Sequence, residues 1–509
     1  NRAPQLRPMR SFLRLSAILV VLLAPLLPAR TFTVVAYNVE NLFDLDGVSG
    51  YEDYQPARYT PAHALTKLRN IARVVARFDG GRGPDVLLLS EIEVDATPGA
   101  AAPDYDAILA RLRGKTLDQL LAAKTLDPAV ADLPAEALLL KALADAGITG
   151  YLVITGENVT APGSERRQEI RCAVLTRLPV RNVRSHATLN ARAILEVQTD
   201  VDGAPLYLFA NHWKSGASDP ESEPVRVANA RTLRTRLDEI LSSDPNADII
   251  IGGDLNSQYN QRQRYPRMKE TGINDVLGSQ GNELAVRQPG RPLYNLWFEL
   301  PAEQRGSDTY RGEWGTLMHL IISRGLYDHQ GVQYVDNSFA VGKFAGLNAD
   351  AEGLPVRWTF DGPAGAGFSD HFPVAATFKA VPDGRRDRWL ALKNASEGGV
   401  TGDAVKTIDY AKMDLAGRAL RPDALPAGTR LQQDEFKGRL VRVEGRVAAG
   451  SRLAVELRGE TFDVWVPDEA LRGRLRSESR EGATMRFFGE LGQYRGRWQF
   501  VIQHESWVK

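Results

Sequence analysis

Five short segments place carboxylates, amides and imidazoles at the ends of apolar runs. They are AYNVENLFD (Ala36 to Asp44), LLSEIE (Leu88 to Glu93), ANHWKS (Ala210 to Ser215), IGGDLNS (Ile251 to Ser257) and FSDHFPV (Phe368 to Val374). Each alone is a weak signal; together they are the parts of metal-assisted phosphoester chemistry. A phosphodiester repels nucleophiles, so its hydrolysis needs a hard cation on oxygen ligands, a base to activate water, and donors aimed at the non-bridging oxygens. Glu40 and Glu91 are suitable hard ligands, because Mg²⁺ takes one or two carboxylates and keeps several waters. Asp254 and Asn256, two residues apart on an extended loop, can face one pocket, one accepting a proton and the other donating to phosphate. Asp370 precedes His371, a side chain that can be cationic near neutral pH.

Periodicity supplies the elements that must hold these groups. Thr31 to Tyr37 and Asp85 to Glu91 read as strands, with a helix over Ala64 to Phe78 between them. Further strands are expected at Tyr151 to Thr155, Arg171 to Thr176, Ile194 to Thr199, Leu206 to Ala210, Asp248 to Gly252, Leu317 to Ser323 and Pro373 to Phe378. Consecutive strands without helices between them favour antiparallel pairing, so the fold class is α/β with two packed, mostly antiparallel sheets flanked by helices. Residues 115–146, rich in Ala and Leu, read as a helical insertion that caps the structure. At 509 residues the chain exceeds a single ordinary core. Residues 30–380 form the expected catalytic domain, 381–434 a linker, and 435–509 a small five-stranded β-barrel of the OB type with a short helix at Asp468 to Leu475.

Residues 1–29 read as an export signal: Arg10 and Arg14 precede or open an apolar run, Leu15 to Leu27, which ends at Pro28-Ala29. Cys172 is the only cysteine, which excludes a disulfide framework and a Cys-based zinc site. Lys+Arg 63 against Asp+Glu 63 gives no global bias toward nucleic acid or membrane, so any basic surface is local. The expectation is a secreted or periplasmic protein, monomeric and without stable membrane association.

The ordered set of five motifs, over about residues 31 to 380, resembles the endonuclease/exonuclease/phosphatase superfamily. The resemblance implies a four-layered α/β-sandwich with its site at one edge of the paired sheets. It implies that Asn38 contacts the substrate phosphate and that Glu40 and Glu91 hold the divalent cation, Mg²⁺ with Mn²⁺ as the alternative. It further implies that Asp254 orients or deprotonates water with Asn256 beside it, that His212 acts as an acid or donor, and that His371 binds phosphate with Asp370 alongside. The sequence is silent on an additional Ca²⁺. Glu93 and Asp44 read as solvated or turn residues, and Lys214 either contacts phosphate or is ordinary surface.

Superfamily members act on different substrates, so fold does not select one. The Trp-x-Asp-Arg signature of 5-phosphatases is absent, since the region reads TLMHLIIS. A sphingomyelinase-like phospholipid phosphodiesterase shares the core motifs and the export. The C-terminal barrel favours nucleic acid: Trp465, Tyr494, Trp498 and Phe500 interleave with Arg495 and Arg497, and the segment is about three units net basic. Tyr494, Arg495, Arg497 and Trp498, with Lys214, are therefore candidate nucleic-acid contacts. The reading is a nuclease cleaving DNA in preference to RNA, against a phospholipid phosphodiesterase or a nucleic-acid-binding protein that has lost catalysis.

One stretch departs from the resemblance. In WGTLMHLIIS (Trp314 to Ser323), Met318 stands where the superfamily usually has an Asp that orients the final histidine. A thioether cannot stabilise an imidazolium. Either Asp370, Asp308 or Glu313 orients His371, or His371 works as a neutral donor; His319 itself takes a packing role. Glu91→Ala and Asp254→Ala are each expected to lower turnover at least about a hundredfold, the scale of losing a metal ligand or a general base, read by steady-state kinetics.

Overall fold

The computed structural model describes residues 30–509 except 98–102, 123–125, 165–166, 289, 291, 361, 401–404, 434–435 and 495. The signal segment and Arg495 therefore lie outside the described residues.

Two large packed sheets with helices form the expected sandwich. One seven-stranded sheet runs Asp328–Tyr334, Val374–Trp389, Thr31–Leu42, Val86–Glu93, Ile170–Thr176 and Leu152–Thr155, with Ala340–Val341 pairing on Val374–Trp389. The other runs Val180–His186, Ile194–Val201, Ala204–His212, Asp248–Asp254, Met318–Ile322, Leu293–Asn295 and Ser279–Gln280. Pairing is antiparallel except at Thr31–Leu42 with Val86–Glu93, Ala204–His212 with Asp248–Asp254, and Leu293–Asn295 with Ser279–Gln280.

Alternation along each strand builds three apolar layers. Val34, Ala36 and Leu88 of the first sheet meet Leu208, Ile250, Met318 and Leu320 of the second in the seam between the sheets. The opposite face of the first sheet, with Val35 and Leu87, packs on the helix Pro61–Val75 and on Ala135–Asp145 of the insertion, which acts as a cap. Ile249 and Ile251 pack on the 21-residue helix Glu223–Ser243. Sequence periodicity misses that long helix because its buried face includes Glu223, Arg226 and Asn229.

Gly253 lets the two central strands approach. Its φ is +118°, and a Cβ there would stand 2.2 Å from the Asn211 carbonyl oxygen. No other residue fits that conformation.

The last strand of the sandwich continues past residue 380 to Trp389, paired with Asp328–Tyr334. Its sequence there runs DGRRDR, so hydrophobic pattern gives no strand signal; the backbone ladder carries it together with side-chain contacts such as Arg386 with Asp244 at 2.8 Å. The segment read as a linker is also docked on its neighbours. Trp314 N donates to Lys406 O at 2.7 Å, Ile408 N to Gly312 O at 2.7 Å, and Arg418 pairs with Asp350 at 2.8 Å.

The C-terminal strands Leu440–Val447, Ala454–Leu457, Glu460–Trp465, Thr484–Tyr494 and Arg497–Val501 close a barrel, with Glu469–Glu478 helical between the third and fourth. Phe462, Phe487, Phe500 and Trp507 fill it. Among the described residues no helix is long and apolar enough to cross a membrane.

Candidate active site

The site grows from the seam where both sheets end. Asn38, last of the inward-facing series Val34, Ala36, Asn38, is 1% exposed. Its Nδ2 donates to Glu91 Oε1 at 3.0 Å and to Asp254 Oδ2 at 3.1 Å, and its Oδ1 accepts from Glu40 N at 2.9 Å. One amide thus joins carboxylates from both sheets. His212 Nε2 lies 3.6 Å from Glu91 Oε1 and 3.8 Å from Asp254 Oδ2, and His371 Nε2 lies 3.7 Å from Asp254 Oδ2 and from Asp370 Oδ1. The motif residues of four segments therefore converge on Asp254.

The backbone bends to bring them there. Glu40, Glu91 and Asn256 have φ of 52°, 67° and 46°, the left-handed region that costs a side-chain-bearing residue about 1 to 3 kcal/mol. Strand register breaks at the same places, between Asn38 and Leu42 and between Leu89 and Ile92. These bulges turn carboxylates out of the ladder and toward the seam. The helix Pro61–Val75 braces the rim: Lys67, fully buried, donates to Glu40 O at 2.7 Å and Phe368 O at 3.2 Å, and Asn70 donates to Gly367 O at 2.7 Å. Ser369 Oγ donates to Asn38 O at 2.7 Å while accepting His371 N at 3.1 Å. Lys67 and Asn70 lie outside the five motif segments, and Ser369, though inside FSDHFPV, is of no type that the phosphoester chemistry calls for, so sequence inspection passes over all three.

Burial and neighbours set the charges. Burial pushes Asp254 up to about 6, against His371, the Asn256 N–H and Asn38, which pull it down. Burial lowers His371, yet Asp370, Asp254, Asp308 and Glu91 outweigh it and hold the imidazole up to about 9. His212 is pushed well below its ordinary value by burial, then by Arg192 and His371, so it is a neutral donor. The acid missing at Met318 is thus replaced by several. Asp308, 5% exposed, sits beside His371 in a backbone bridge. Glu313 is not among them, being paired with Arg264 at 2.7 Å on the surface.

His319 is a satisfied core histidine. Its Nε2 meets Ser257 O at 2.8 Å and its Nδ1 meets Asn295 Nδ2 at 3.1 Å, so the ring bridges the loop after Asp254 to the neighbouring strand. Burial holds it down to about 4, hence neutral.

Other placements differ from expectation. The Glu40 carboxylate is gripped by Arg357 Nη2 at 3.0 Å and Trp358 N at 2.7 Å, and burial pushes it up to about 7. Among the described residues the second carboxylate oxygen of Glu91 has no hydrogen-bond partner. Asn256 donates its backbone N–H to Asp254 Oδ1 at 2.8 Å and its Nδ2 to Trp213 O at 3.2 Å. Asp44 and Glu93 are not solvated: both are buried, and Asp44 N donates to Glu93 Oε2 at 2.7 Å. Lys214 is held through its backbone, N to Asn229 Oδ1 at 3.2 Å, and among the described residues pairs with none of the site's carboxylates. In the barrel, Phe500 is core, Arg497 pairs with Asp463 at 2.9 Å, Trp498 is half-buried, and Tyr494 is exposed. Arg192, whose Nη1 donates to Trp213 O at 3.4 Å, and Arg357 are cations beside the site that no motif marks.

Residues 174–380 match the model of the Endonuclease/Exonuclease/phosphatase family. The matched stretch lies within the sandwich. No curated protein matches the chain. Among solved structures, truncated TDP2 from Caenorhabditis elegans is 17% identical, covers 69% of this chain and 98% of its own, with a TM-score of 0.35. A family protein from Leptotrichia buccalis is 12% identical over 68% of this chain and 98% of its own, TM-score 0.37. Another from Beutenbergia cavernae is 15% identical over 69% and 72%, TM-score 0.39.

The charges predict a plateau in pH. Asp254 accepts a proton only when ionised, so kcat/KM rises as pH climbs through about 6; His371 loses its charge as pH passes about 9, where kcat/KM falls. A bound cation moves the acid limb lower. Asp308→Asn, by removing negative charge near His371, is expected to move the alkaline limb to lower pH in the measured profile; an unmoved limb would separate Asp308 from His371.

Proposed function

We propose that the chain is an exported, Mg²⁺-dependent nuclease that hydrolyses phosphodiester bonds in DNA and acts as a monomer. The observation that carries this reading is the convergence of Glu91, Asp254, His212 and His371 around the buried Asn38 amide. A base, a cationic donor, neutral donors and an oxygen-only ligand set stand together, as phosphodiester hydrolysis requires.

The donor set fits a hard divalent cation: Glu91 offers a carboxylate oxygen, and Asn38 fixes that carboxylate. Glu40, tied to Arg357, supports the site from its rim more than it offers a free ligand. Bound there, Mg²⁺ would withdraw charge from the phosphate. Asp254 takes the proton of the attacking water as its oxygen bonds to phosphorus. The bond to the leaving oxygen breaks, and solvent protonates that oxygen. His371 as a cation, with Asn256 and neutral His212 as donors, holds the phosphoryl oxygens. Asp370 supports the charge of His371.

Nucleic acid is favoured over lipid by the barrel. Trp465 and Tyr494 are exposed, 47% and 54%, and Arg472 stands 4.6 Å from the Trp465 ring. Exposed rings beside cations suit base stacking. The barrel also reaches the catalytic rim: Arg357, which grips Glu40, has Nη1 2.9 Å from where a Cβ on Gly438 would stand. A strand lying on the barrel would thus begin close to the catalytic seam. Export is read from the pattern in residues 1–29 and the single cysteine.

Purified protein incubated with plasmid DNA, RNA and sphingomyelin, with Mg²⁺ and then EDTA, is expected to nick DNA fastest and to stop on chelation. Lipid cleavage without nicking would establish the phospholipid phosphodiesterase instead, and no cleavage of any of them would leave a binding protein.

A further inference from the structure

Beside the catalytic seam, four short extended segments form a ribbon. His371 bridges Asp308, Asp308–Tyr310 pairs with Glu313–Gly315, and Glu313 bridges Thr407, with Trp314 N donating to Lys406 O at 2.7 Å. Neighbouring strands lie about 4.8 Å apart, so Lys406 stands roughly 14 Å from His371 across the ribbon. Successive side chains alternate in face. His371 turns to the seam and Asp254, whereas Phe372 turns to the other face and stacks on Trp314, ring centres 6.3 Å apart.

Two lysines from distant segments reach the Trp314 ring. Lys343 Nζ lies 5.0 Å from its centre and Lys406 Nζ 4.4 Å, and Lys343 Nζ is also 6.0 Å from the Phe372 ring. Trp314 is 5% exposed and packs with Phe372, Ala349 and Leu354 in a small apolar cluster of its own, so the ring is a fixed platform. The backbones that carry the lysines are fixed as well. Gly342 N donates to Pro373 O at 2.7 Å, Lys343 N to Val341 O at 2.8 Å, and Ile408 N to Gly312 O at 2.7 Å. Gly353, with φ of +77°, leaves room for the Lys343 ammonium, which a Cβ there would crowd.

Neither ammonium group has a counter-ion. Among the described residues no carboxylate pairs with Lys343 or Lys406, and neither Nζ donates a hydrogen bond. Asp350, the acid whose field reaches Lys343, is committed to Arg418 at 2.8 Å and to Leu354 N at 2.7 Å. Glu303, whose field reaches Lys406, is itself exposed to solvent. One ring attracts a cation over its face, but two cations at the same ring repel each other. Burial lowers both ammonium groups from their ordinary value, and Lys343 lowers Lys406 further. An anion between them would relieve both effects.

We propose that Lys343 and Lys406, held against Trp314, form a subsite for a backbone phosphate of nucleic acid away from the bond that is cut. The inference rests on the nuclease reading above. Phosphate suits the pair, since an ammonium group binds it as a compact point charge. At about 3.4 Å per nucleotide along a duplex strand, roughly 14 Å from His371 corresponds to a phosphate about four nucleotides from the reacting one. The subsite therefore holds substrate and takes no part in the chemistry. Lys406 lies in the segment that joins the sandwich to the barrel, so that segment becomes part of the substrate's track.

The test uses the full chain carrying Glu91→Gln, which slows cleavage, and follows the anisotropy of a labelled DNA duplex as salt is raised. Lys343→Met with Lys406→Met keeps the apolar stems over the ring and removes both charges. That double variant is expected to bind at least about fivefold more weakly and to reduce the slope of log Kd against log salt concentration by about one, the worth of one phosphate contact. A control pair, Lys115→Met with Lys393→Met, removes the same charge at exposed positions and is expected to bind as the parent does. With Glu91 intact, the lysine variant is expected to cleave bis(4-nitrophenyl) phosphate, too small to reach the subsite, at the parent's rate. Should circular dichroism show the double variant unfolded, Lys343→Met alone, at an exposed position, is expected to weaken duplex binding about twofold. Lysine variants that bind like the parent, or a control pair that weakens binding equally, would overturn the subsite and leave the nuclease reading standing. Loss of the small-substrate rate would also overturn it, by placing the lysines in the chemical step. A parent that binds no duplex would overturn both readings.

Discussion

The site depends on one buried amide. Asn38 extends from the first sheet, and its Nδ2 binds carboxylates of both sheets while its Oδ1 holds the Glu40 backbone. Hydrogen bonds from a buried donor to charged groups are worth about 1.5 to 3 kcal/mol each, and losing the donor leaves buried Asp254 and half-buried Glu91 without it. The amide can reach both only because the sheets close on a seam of small and branched side chains, Ala36 against Gly252, whose added Cβ would stand 3.5 Å from that of Ala36. Packing thus sets the distance across which the chemistry is assembled.

The electrostatics follow from that closure. In a dry seam Asp254 is held high enough to act as a base near neutrality, and His371 is held charged by the acids around it. The two shifts support each other, since the imidazolium lowers Asp254 and the carboxylate raises His371. Fully buried Lys67 adds a positive charge behind Glu40, though burial lowers it to about 8. Strained φ at Glu40, Glu91 and Asn256 is the cost of aiming side chains into this space, and the hydrogen bonds to Asn38, Lys67 and Trp213 offset it.

Much of this was legible in the sequence, because strands buried on one or both faces announce themselves and catalytic residues cluster at their ends. Glu91, Asp254 and His371 were readable as residue types at strand ends, Asn38 and His212 only through the resemblance, and the structure brings them together. What escaped had a physical reason. Lys67 and Asn70 sit on a helix whose pattern marks only its apolar stripe. The grip of Arg357 on Glu40 joins residues 317 apart in sequence. The strand through Asp383 to Arg388 and the helix through Arg226 carry charges where a hydrophobic pattern was sought. Asp44 and Glu93 looked solvated because a buried acid pair has no signature in one dimension. Met318 signalled a missing acid, but only the fold shows Asp308 across a bridge from His371.

The account is tested most directly by titrating plasmid nicking with Mg²⁺ for Asn38→Ala against the parent chain, with circular dichroism to verify the fold. If the amide holds the metal carboxylate and the base together, the variant loses about a hundredfold in kcat and needs more Mg²⁺ for half-maximal rate. A folded variant with the parent's rate and Mg²⁺ requirement would contradict it.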